Sequence, residues 1–363
     1  NYCLRNLEQE ENCISTEKLR DIGKFITTYC DEYKIANISV QAWGGEPLLE
    51  KNKIIALTKF ITPQKTKVHY SIETNATLLT NDVIEELYKN HIGIGISIDG
   101  DRKCHDLQRT FVSGKGSYDT VKKNLLQAQR YYKNKIGTIT TITKQTAVHI
   151  EKIIEHLVLD LHISNIKLNF VHASTYTHGQ NQCLNTQEIA DTELRILYKI
   201  IELQERGYDV MEHNIFIKLK NLLFREYADI CLSCGCCGGK KMIVFDMDGN
   251  IYPCELTDDA SFVIGSIYKK ESLIEQIKMT IDKDKAFFKM KKAVECEKCY
   301  WKFFCRGGCT VRALSEKRQM EVIDIDHIEC AINQVLYPAL MELVLRKPHI
   351  VNQMLGEDLL VDE

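Results

Sequence analysis

The sequence predicts an α/β fold in which a parallel sheet precedes a smaller cysteine-rich domain. Short β-branched runs alternate with amphipathic helical patterns over the first half of the chain, as they do in successive βα units. From residue 231 onward the alternation has stopped, and this segment holds ten of the fifteen cysteines. A chain of 363 residues is long enough for about two domains.

Five β-branched runs predict the strands of the sheet, because such residues suit a pleated, half-buried surface. They are Ile38–Trp43, Val68–Thr74, Ile92–Ile98, Gly137–Thr143 and Ile166–Val171. The helix predicted ahead of the first run has no strand before it. We therefore expect the first strand of the sheet to lie upstream of Asn1.

Helical patterns fill the intervals between the strands. Ser15 is a suitable N-cap for a helix that places Leu19, Ile22 and Tyr29 on one face. The other helices predicted here are Val83–Lys89 after Thr80 or Asn81, a helix that Ser117 opens, His149–Leu159 and Thr186–Arg206.

The C-terminal part reads differently. Asp248-Gly249 is a strong turn signal between two short runs, Met242–Phe245 and Ile251–Tyr252, and predicts a hairpin. Further helices are predicted at Ile215–Tyr227, Ser272–Met279 and Ala331–Leu345. The resulting division is a sheet domain at 1–206, a connecting helix at 207–230, a cysteine-rich domain at 231–345 and a tail at 346–363.

Composition is that of an ordinary globular protein, with 44% hydrophobic and 27% charged residues. The net charge is −3 and no block of basic residues is present, which argues against nucleic acid as a partner. No run of 18 apolar residues indicates a membrane span.

Three polar or glycine-rich motifs follow the first three predicted strands. They are Trp43–Pro47, Glu73–Thr77 and Ser97–Gly100. Each alone could be a structural turn or a solvated loop. Because the carboxyl ends of parallel strands meet at one edge, where ligands bind in such folds, the three together predict a ligand site.

The cysteine spacing predicts metal binding. One array runs Cys296-x2-Cys299-x5-Cys305-x3-Cys309 and ends at Cys330, and a second set includes Cys231, Cys234, Cys236, Cys237 and Cys254. Four thiolates can hold one zinc ion or one iron–sulfur cluster, and the spacing alone does not choose between them. Disulfides are a third interpretation, which requires an oxidising compartment.

These motifs resemble those of the radical S-adenosylmethionine (radical SAM) superfamily. The N-terminal likeness is carried by Tyr2-Cys3, Gly44–Pro47, Thr74–Leu79, Ser97–Gly100, His105-Asp106 with Arg109, and Gly114–Ser117. The cysteine array resembles the SPASM extension of that superfamily, since Cys237-x11-Gly249-x4-Cys254 precedes the C-x2-C-x5-C-x3-C element and the last cysteine. The resemblance implies a partial TIM-like (β/α)6 barrel, with its first strand missing, followed by a SPASM domain.

The resemblance also implies cofactors and their ligands. Cys3 would be the third ligand of a 4Fe–4S cluster and Tyr2 would pack near the adenine of S-adenosylmethionine. Only the x-aromatic-C end of the C-x3-C-x-aromatic-C signature is present, so we expect the other two ligands before Asn1 and an inactive fragment without them. The remaining implied contacts are Gly44, Gly45 and Glu46 with the ammonium group, Asn75 and Thr77 with the ribose, and Ser97 and Arg109 with the carboxylate or ribose. For Arg109 the alternative is a surface ion pair.

Two auxiliary 4Fe–4S clusters are implied in the same way, and they favour iron–sulfur over zinc because a radical enzyme must move electrons. The first would use Cys237, Cys254 and Cys309, with Cys231 as the preferred fourth ligand and Cys234 or Cys236 as alternatives. The second would use Cys296, Cys299, Cys305 and Cys330.

The implied function is a peptide maturase that forms a thioether in a ribosomally made precursor peptide. The alternatives are an anaerobic sulfatase-maturating enzyme, which forms formylglycine, and a non-enzymatic metal-binding scaffold. Sulfatase-maturating relatives carry Asp after the cysteine that matches Cys254, as a proposed base, and Glu255 stands there in this chain. We expect an electron donor such as ferredoxin or flavodoxin and a reducing cytoplasm as the location.

Overall fold

A computed structural model of the protein describes residues 13–133, 135–171, 182–225, 236–257, 260–282, 294–315 and 325–356. Its larger sheet has six parallel strands in the order β1 to β6. The strands are β1 (Asn37–Ala42), β2 (Lys67–Thr74), β3 (Ile92–Ser97), β4 (Gly137–Ile142), β5 (Asn165–Phe170) and β6 (Met211–Glu212). The five predicted strands are confirmed, and each begins and ends within one residue of its predicted bounds.

The sixth strand was not predicted. It lies in the segment 207–230, for which the sequence indicated only a connecting helix, and it pairs with the start of β5 through Asn165↔Met211 and Ile166↔Glu212. A strand of two residues has no periodicity to detect. Met211 and Glu212 therefore belong to the large sheet.

Helices follow the strands as the sequence predicted. The Ser15 side chain accepts a hydrogen bond from Lys18 N, and Asn185 forms a capping box with Glu188. The helices described in this domain are α1 (Thr16–Glu32), α2 (Lys51–Phe60), α3 (Asn81–Lys89), α4 (Arg102–Gln108), α5 (Tyr118–Tyr132), α6 (Lys144–Ala147), α7 (Ile150–Glu155), α8 (Thr186–Glu205) and α9 (His213–Phe224). A 3-10 turn covers Pro47–Glu50 and a π-helical turn covers His156–Asp160.

The two faces of the sheet differ. On one face Ile72, Ile94 and Ile96 are buried in a core shared with Leu87 and Leu125 of α3 and α5. Residues that alternate with them along β2, β3 and β5 form the opposite face and are polar or glycine: Ser71, Glu73, Gly93, Gly95, Ser97, Lys167 and Asn169. Along these three strands the sheet therefore presents a polar face opposite its buried one.

A second, antiparallel sheet lies in the cysteine-rich part: β7 (Val244–Phe245), β8 (Asn250–Tyr252) and β9 (Gly265–Ser266). The predicted hairpin at Asp248-Gly249 is confirmed, and Gly249 has a φ of +80°. This sheet packs on α1, where the rings of Phe25 and Phe245 lie 5.8 Å apart and Lys18 pairs with Asp248 at 2.6 Å.

The remaining described helices are α10 (Leu273–Asp282), α11 (Val294–Glu297), α12 (Lys302–Cys305), α13 (Thr310–Ser315), α14 (His327–Arg346) and α15 (Pro348–Leu355). Within the tail predicted at 346–363, residues 348–355 form α15, and its Ile350 and Val351 lie in the main core. Helix α14 also joins that core, through Leu336 and Leu340. Its length and composition would suffice to cross a membrane, a property that core helices share.

Candidate functional site

The three predicted motifs lie at one edge of the large sheet. Trp43–Pro47 follows β1, Asn75–Thr77 follows β2 and Ile98–Gly100 follows β3, and the three strands are parallel neighbours. Their carboxyl ends therefore share one rim, as the sequence predicted.

Glu46 joins the first two of these loops. Its carboxylate accepts hydrogen bonds from Leu48 N at 3.0 Å, Thr74 Oγ1 at 2.6 Å and Asn75 N at 2.8 Å. Apart from its own chain neighbours, a Cβ atom placed on Gly44 or Gly45 would find no heavy atom of the described residues within 4 Å. Within that part of the chain the glycines are thus accessible to a ligand at the rim, and Glu46 fixes the loop that carries them.

The loop after β2 is a tight turn. Asn75 Oδ1 accepts hydrogen bonds from both Thr77 N, at 2.9 Å, and Thr77 Oγ1, at 2.7 Å. Between them Ala76 is fully buried with a φ of +57°, a left-handed conformation that costs a non-glycine residue about 1–2 kcal/mol. Asn124 of α5 donates to the Ala76 carbonyl at 2.7 Å. The turn is held in this strained form from two sides.

Arg109 forms a buried ion pair. Its Nε donates to Asp99 Oδ2 at 2.7 Å and a terminal nitrogen lies 3.3 Å from Asp99 Oδ1, while the Asp99 side chain is 0% exposed. The ion pair that the alternative predicted is present, but it is partly buried rather than on the surface, because the partner is a buried aspartate of the Ser97–Gly100 motif. Thr141 N also donates to Asp99, at 2.9 Å, and so ties β4 to the same carboxylate.

His105 supports this arrangement. Its Nδ1 accepts from Asp99 N at 3.2 Å and its Nε2 lies 3.0 Å from Ser117 Oγ, which donates to the Arg109 carbonyl at 2.9 Å. Burial lowers the pKa of His105 to about 4. The ring is therefore neutral at pH 7, and because Nδ1 accepts, Nε2 carries the proton that Ser117 receives.

The cysteines fall into two groups. In the first, burial raises the pKa of Cys254 to about 12, and the charges of Cys309 and Cys236 act on it in the same direction. The charge of Cys236 also raises the pKa of Cys309. Cys237, like Cys254, is 8% exposed. Cys236 thus belongs to this group, whereas Cys231 and Cys234 lie outside the described residues.

In the second group, burial raises the pKa of Cys330, and the charges of Cys296 and Cys299 act on it. Gln334 Nε2 lies 3.6 Å from Cys299 Sγ. Burial raises the pKa of Cys305 to about 11, and the charge of Glu329 acts in the same direction. Glu329 lies on the same helix as Cys330. The two ligand sets that the resemblance implies stay predictions.

A zinc ion would need its ligands about 2.0–2.3 Å from one point. Within the described ranges, no three His, Cys, Asp or Glu side chains converge in that way.

Glu255 is half-buried beside the first group, where its charge contributes to the raised pKa of Cys254. Tyr2 and Cys3 lie outside the described residues, as Cys231 does. The sequence analysis missed Asp99 as the partner of Arg109, and also Lys218, a lysine enclosed in the apolar stretch Ile215–Leu219 of α9. A charged residue inside such a stretch is the signal that could have revealed it.

Residues 2–157 match the family model described as the Radical SAM superfamily. A cysteine-type anaerobic sulfatase-maturating enzyme from Clostridium novyi (strain NT) is 26% identical over 273 residues, which are 73% of this chain and 71% of that protein.

Two solved structures show the same fold. Native anSMEcpe with bound AdoMet and Cp18Cys peptide has a TM-score of 0.80 and 21% identity, over 98% of this chain and 94% of that chain. Streptococcus suis SuiB bound to precursor peptide SuiA has a TM-score of 0.63 and 16% identity, over 90% of this chain and 72% of that chain.

Proposed function

We propose that this protein is a radical SAM/SPASM peptide maturase, because its residues 2–157 match the Radical SAM superfamily model. The enzyme cleaves S-adenosylmethionine reductively and uses the 5′-deoxyadenosyl radical to abstract a hydrogen atom from a ribosomally made peptide. It then joins a cysteine sulfur of that peptide to the carbon radical as a thioether.

The separation of the thiols into two groups carries this proposal, because one-electron chemistry on a peptide needs sites that store and release electrons. Thiolate is the usual ligand of iron–sulfur clusters, and both groups consist of buried or half-buried cysteines. Cys237, Cys254 and Cys309, with one of Cys231, Cys234 and Cys236, would hold one auxiliary 4Fe–4S cluster. Cys296, Cys299, Cys305 and Cys330 would hold the other.

S-adenosylmethionine would bind at the rim. Gly44 and Gly45 would offer backbone groups to its ammonium, beside the Glu46 carboxylate. Asn75 and Thr77 would face the ribose. In the same proposal Ser97 and Arg109 take the carboxylate or ribose, Tyr2 lies near the adenine, and Cys3 is one ligand of the 4Fe–4S cluster that supplies the electron for cleavage.

The electron count of the reaction closes. One electron enters to break the sulfonium C–S bond, which releases methionine, and the adenosyl radical takes one hydrogen atom from the peptide. Formation of the new C–S bond releases one proton from the thiol and returns one electron. The peptide loses two hydrogen atoms and keeps its sulfur. Glu255, beside Cys254, is the proposed acceptor of the proton.

Sulfatase maturation is the second candidate. It is favoured by the Clostridium novyi relative and by the overlay on anSMEcpe, which covers 94% of that chain against 72% for SuiB. In this chemistry a cysteine of the substrate is oxidised to formylglycine, so that water enters and the sulfur leaves. Glu255 would serve the same role as base, with a side chain one methylene longer than Asp.

The two candidates are separated by the fate of sulfur. We would incubate the full-length, anaerobically purified gene product with S-adenosylmethionine, dithionite and either a cysteine-rich peptide encoded beside its gene or a sulfatase-derived cysteine peptide. A maturase returns a peptide that has lost two hydrogen atoms but no sulfur. A sulfatase-maturating enzyme returns an aldehyde that reacts with a hydrazide. Loaded enzyme that forms no 5′-deoxyadenosine with either peptide contradicts both.

Glu255 is tested separately. If it accepts the proton, Glu255→Gln loses peptide product while still forming 5′-deoxyadenosine, and Glu255→Asp keeps activity. Equal product from Glu255→Gln and the parent enzyme would remove Glu255 from the mechanism.

We also propose ferredoxin or flavodoxin as the electron donor, acting in a reducing cytoplasm. Replacing dithionite by reduced flavodoxin should then sustain turnover. A dithionite-dependent enzyme that neither protein can drive would contradict this.

A further inference from the structure

Three buried charges and one partly buried arginine, whose side chain is 19% exposed, form a connected cluster beside the cysteines, and we call them the charge quartet: Lys218, Arg312, Asp326 and Glu329. Lys218 comes from α9 of the sheet domain and its side chain is 1% exposed, while those of Asp326 and Glu329 are 2% and 3% exposed. Burying such charges costs several kcal/mol for each ion unless all are paired. Such a set therefore needs a reason to be retained.

Every member of the quartet is paired. Lys218 Nζ forms an ion pair with Glu329 and donates to Asn333 Oδ1 at 2.7 Å. Arg312 donates to Asp326 Oδ2 at 2.7 Å from a terminal nitrogen and at 3.1 Å from Nε. A terminal nitrogen of Arg312 also lies 3.4 Å from Glu329 Oε2, which joins the two pairs. Two cations thus balance two carboxylates.

Each pair faces one thiol group. Glu329 directly precedes Cys330 on α14, and Arg312 lies on α13, which begins directly after Cys309. The charges of Glu329 and Lys218 also act on Cys305, and those of Arg312 and Asp326 act on Cys309. Asp326 additionally accepts a hydrogen bond from Cys309 N at 2.7 Å. The loop between these cysteines is therefore held against fixed charges of both signs.

We propose that the charge quartet sets the reduction potentials of the two auxiliary clusters, with Lys218 and Glu329 acting at Cys305 and Arg312 and Asp326 acting at Cys309. All four are positioning residues in this role. A fixed cation stabilises the more negative, reduced cluster and a fixed anion destabilises it, so net charge tunes such potentials. The inference rests on the proposed function, since it requires that the thiols hold clusters.

The test uses the reconstituted, full-length enzyme and neutral variants of similar shape. Lys218→Met removes the cation at Cys305 and Glu329→Gln removes the anion. The two substitutions should move the potential of the Cys296, Cys299, Cys305 and Cys330 cluster in opposite directions, negative for Lys218→Met and positive for Glu329→Gln. We expect at least a tenfold change in the reduction equilibrium, about 59 mV for one electron.

The readouts are iron and sulfide per chain and redox titration followed by electron paramagnetic resonance. A Cys299→Ala/Cys330→Ala background isolates the first cluster, whose potential Arg312→Met and Asp326→Asn should shift in opposite directions. Lys218→Arg should restore the parent potential. Lys199→Met is the matched control, because Lys199 pairs with Glu155 and Glu202 on other parts of the sheet domain.

The outcomes separate the two proposals. Absence of iron–sulfur clusters from the parent enzyme overturns the proposed function. Loaded clusters whose potentials do not move, or move in the same direction for Lys218→Met and Glu329→Gln, overturn the role of the quartet and leave the function standing. If Lys218→Met loses its iron, Glu329→Gln alone decides, and an unshifted or more negative potential refutes the inference.

Discussion

Glu193 makes protein stability depend on pH in a direction opposite to that of most carboxylates. It lies on α8 and is 4% exposed, facing Glu212, Lys218 and Glu329. Burial, with the charge of Glu212 next, raises the pKa of Glu193 from 4.5 to about 8. In the folded protein the Glu193 carboxyl group is therefore still protonated at pH 7.

The sign of the effect follows from proton binding. Between pH 4.5 and 8 the folded state holds a proton on Glu193 that the unfolded state has lost, so the free energy of unfolding falls as pH rises through this range. Below this range Glu193 is protonated in both the folded and the unfolded state, so it causes no loss of unfolding free energy. A pKa raised from 4.5 to about 8 corresponds to roughly 4–5 kcal/mol lost by pH 9.

Glu193→Gln removes the titration and keeps the shape. We expect the variant to unfold with a free energy close to that of the parent at pH 5 and roughly 4 kcal/mol higher at pH 9. Urea denaturation followed by circular dichroism under anaerobic conditions, at pH 5, 7 and 9, measures the difference.

Glu202→Gln is the control on the same helix, because Lys199 and Arg206 lower the pKa of Glu202. This substitution should bring no gain at high pH. If Glu193→Gln is no more stable than the parent protein at pH 9, the carboxyl is ionised in the fold and the reasoning is refuted.

Two further predictions concern the rim and the hairpin. Arg109→Met removes the cation that pairs with the buried Asp99 carboxylate and should cost about 3–5 kcal/mol of unfolding free energy in urea, whereas Arg195→Met, at a half-exposed pair, should cost less than about 1 kcal/mol. Gly249→Ala combines a φ of +80° with a Cβ only 2.8 Å from Ile267 and should cost about 2–4 kcal/mol; Gly207→Ala, with a φ of +84° in open space, should cost about 1–2 kcal/mol.

Each comparison has an outcome that contradicts it. Equal losses for Arg109→Met and Arg195→Met would mean that the Asp99 ion pair is solvated. Equal losses for Gly249→Ala and Gly207→Ala would mean that Ile267 moves aside without cost, so that only the backbone strain is measured.

Local patterns were sufficient for most of the sheet domain. The strands from β1 to β5 were predicted because their β-branched runs are long enough to show a period. The helix start at Ser15 was predicted because a serine oxygen can cap the first turn of the helix that follows it. The two-residue β6 is too short to show a period. The segment of α15 was predicted as part of a tail because its apolar residues pack against distant parts of the chain, which the local sequence does not reveal.

The sequence by itself determined the order of βα units, the rim motifs and the cysteine spacing, because each depends on neighbours within a few residues. Only the tertiary structure decided that Arg109 pairs with buried Asp99, that the charges of Cys236 and Cys309 act on Cys254, and that Lys218 reaches Glu329 from another domain. Those contacts join residues far apart in the chain, and their energies come from burial, which exists only once the elements have packed.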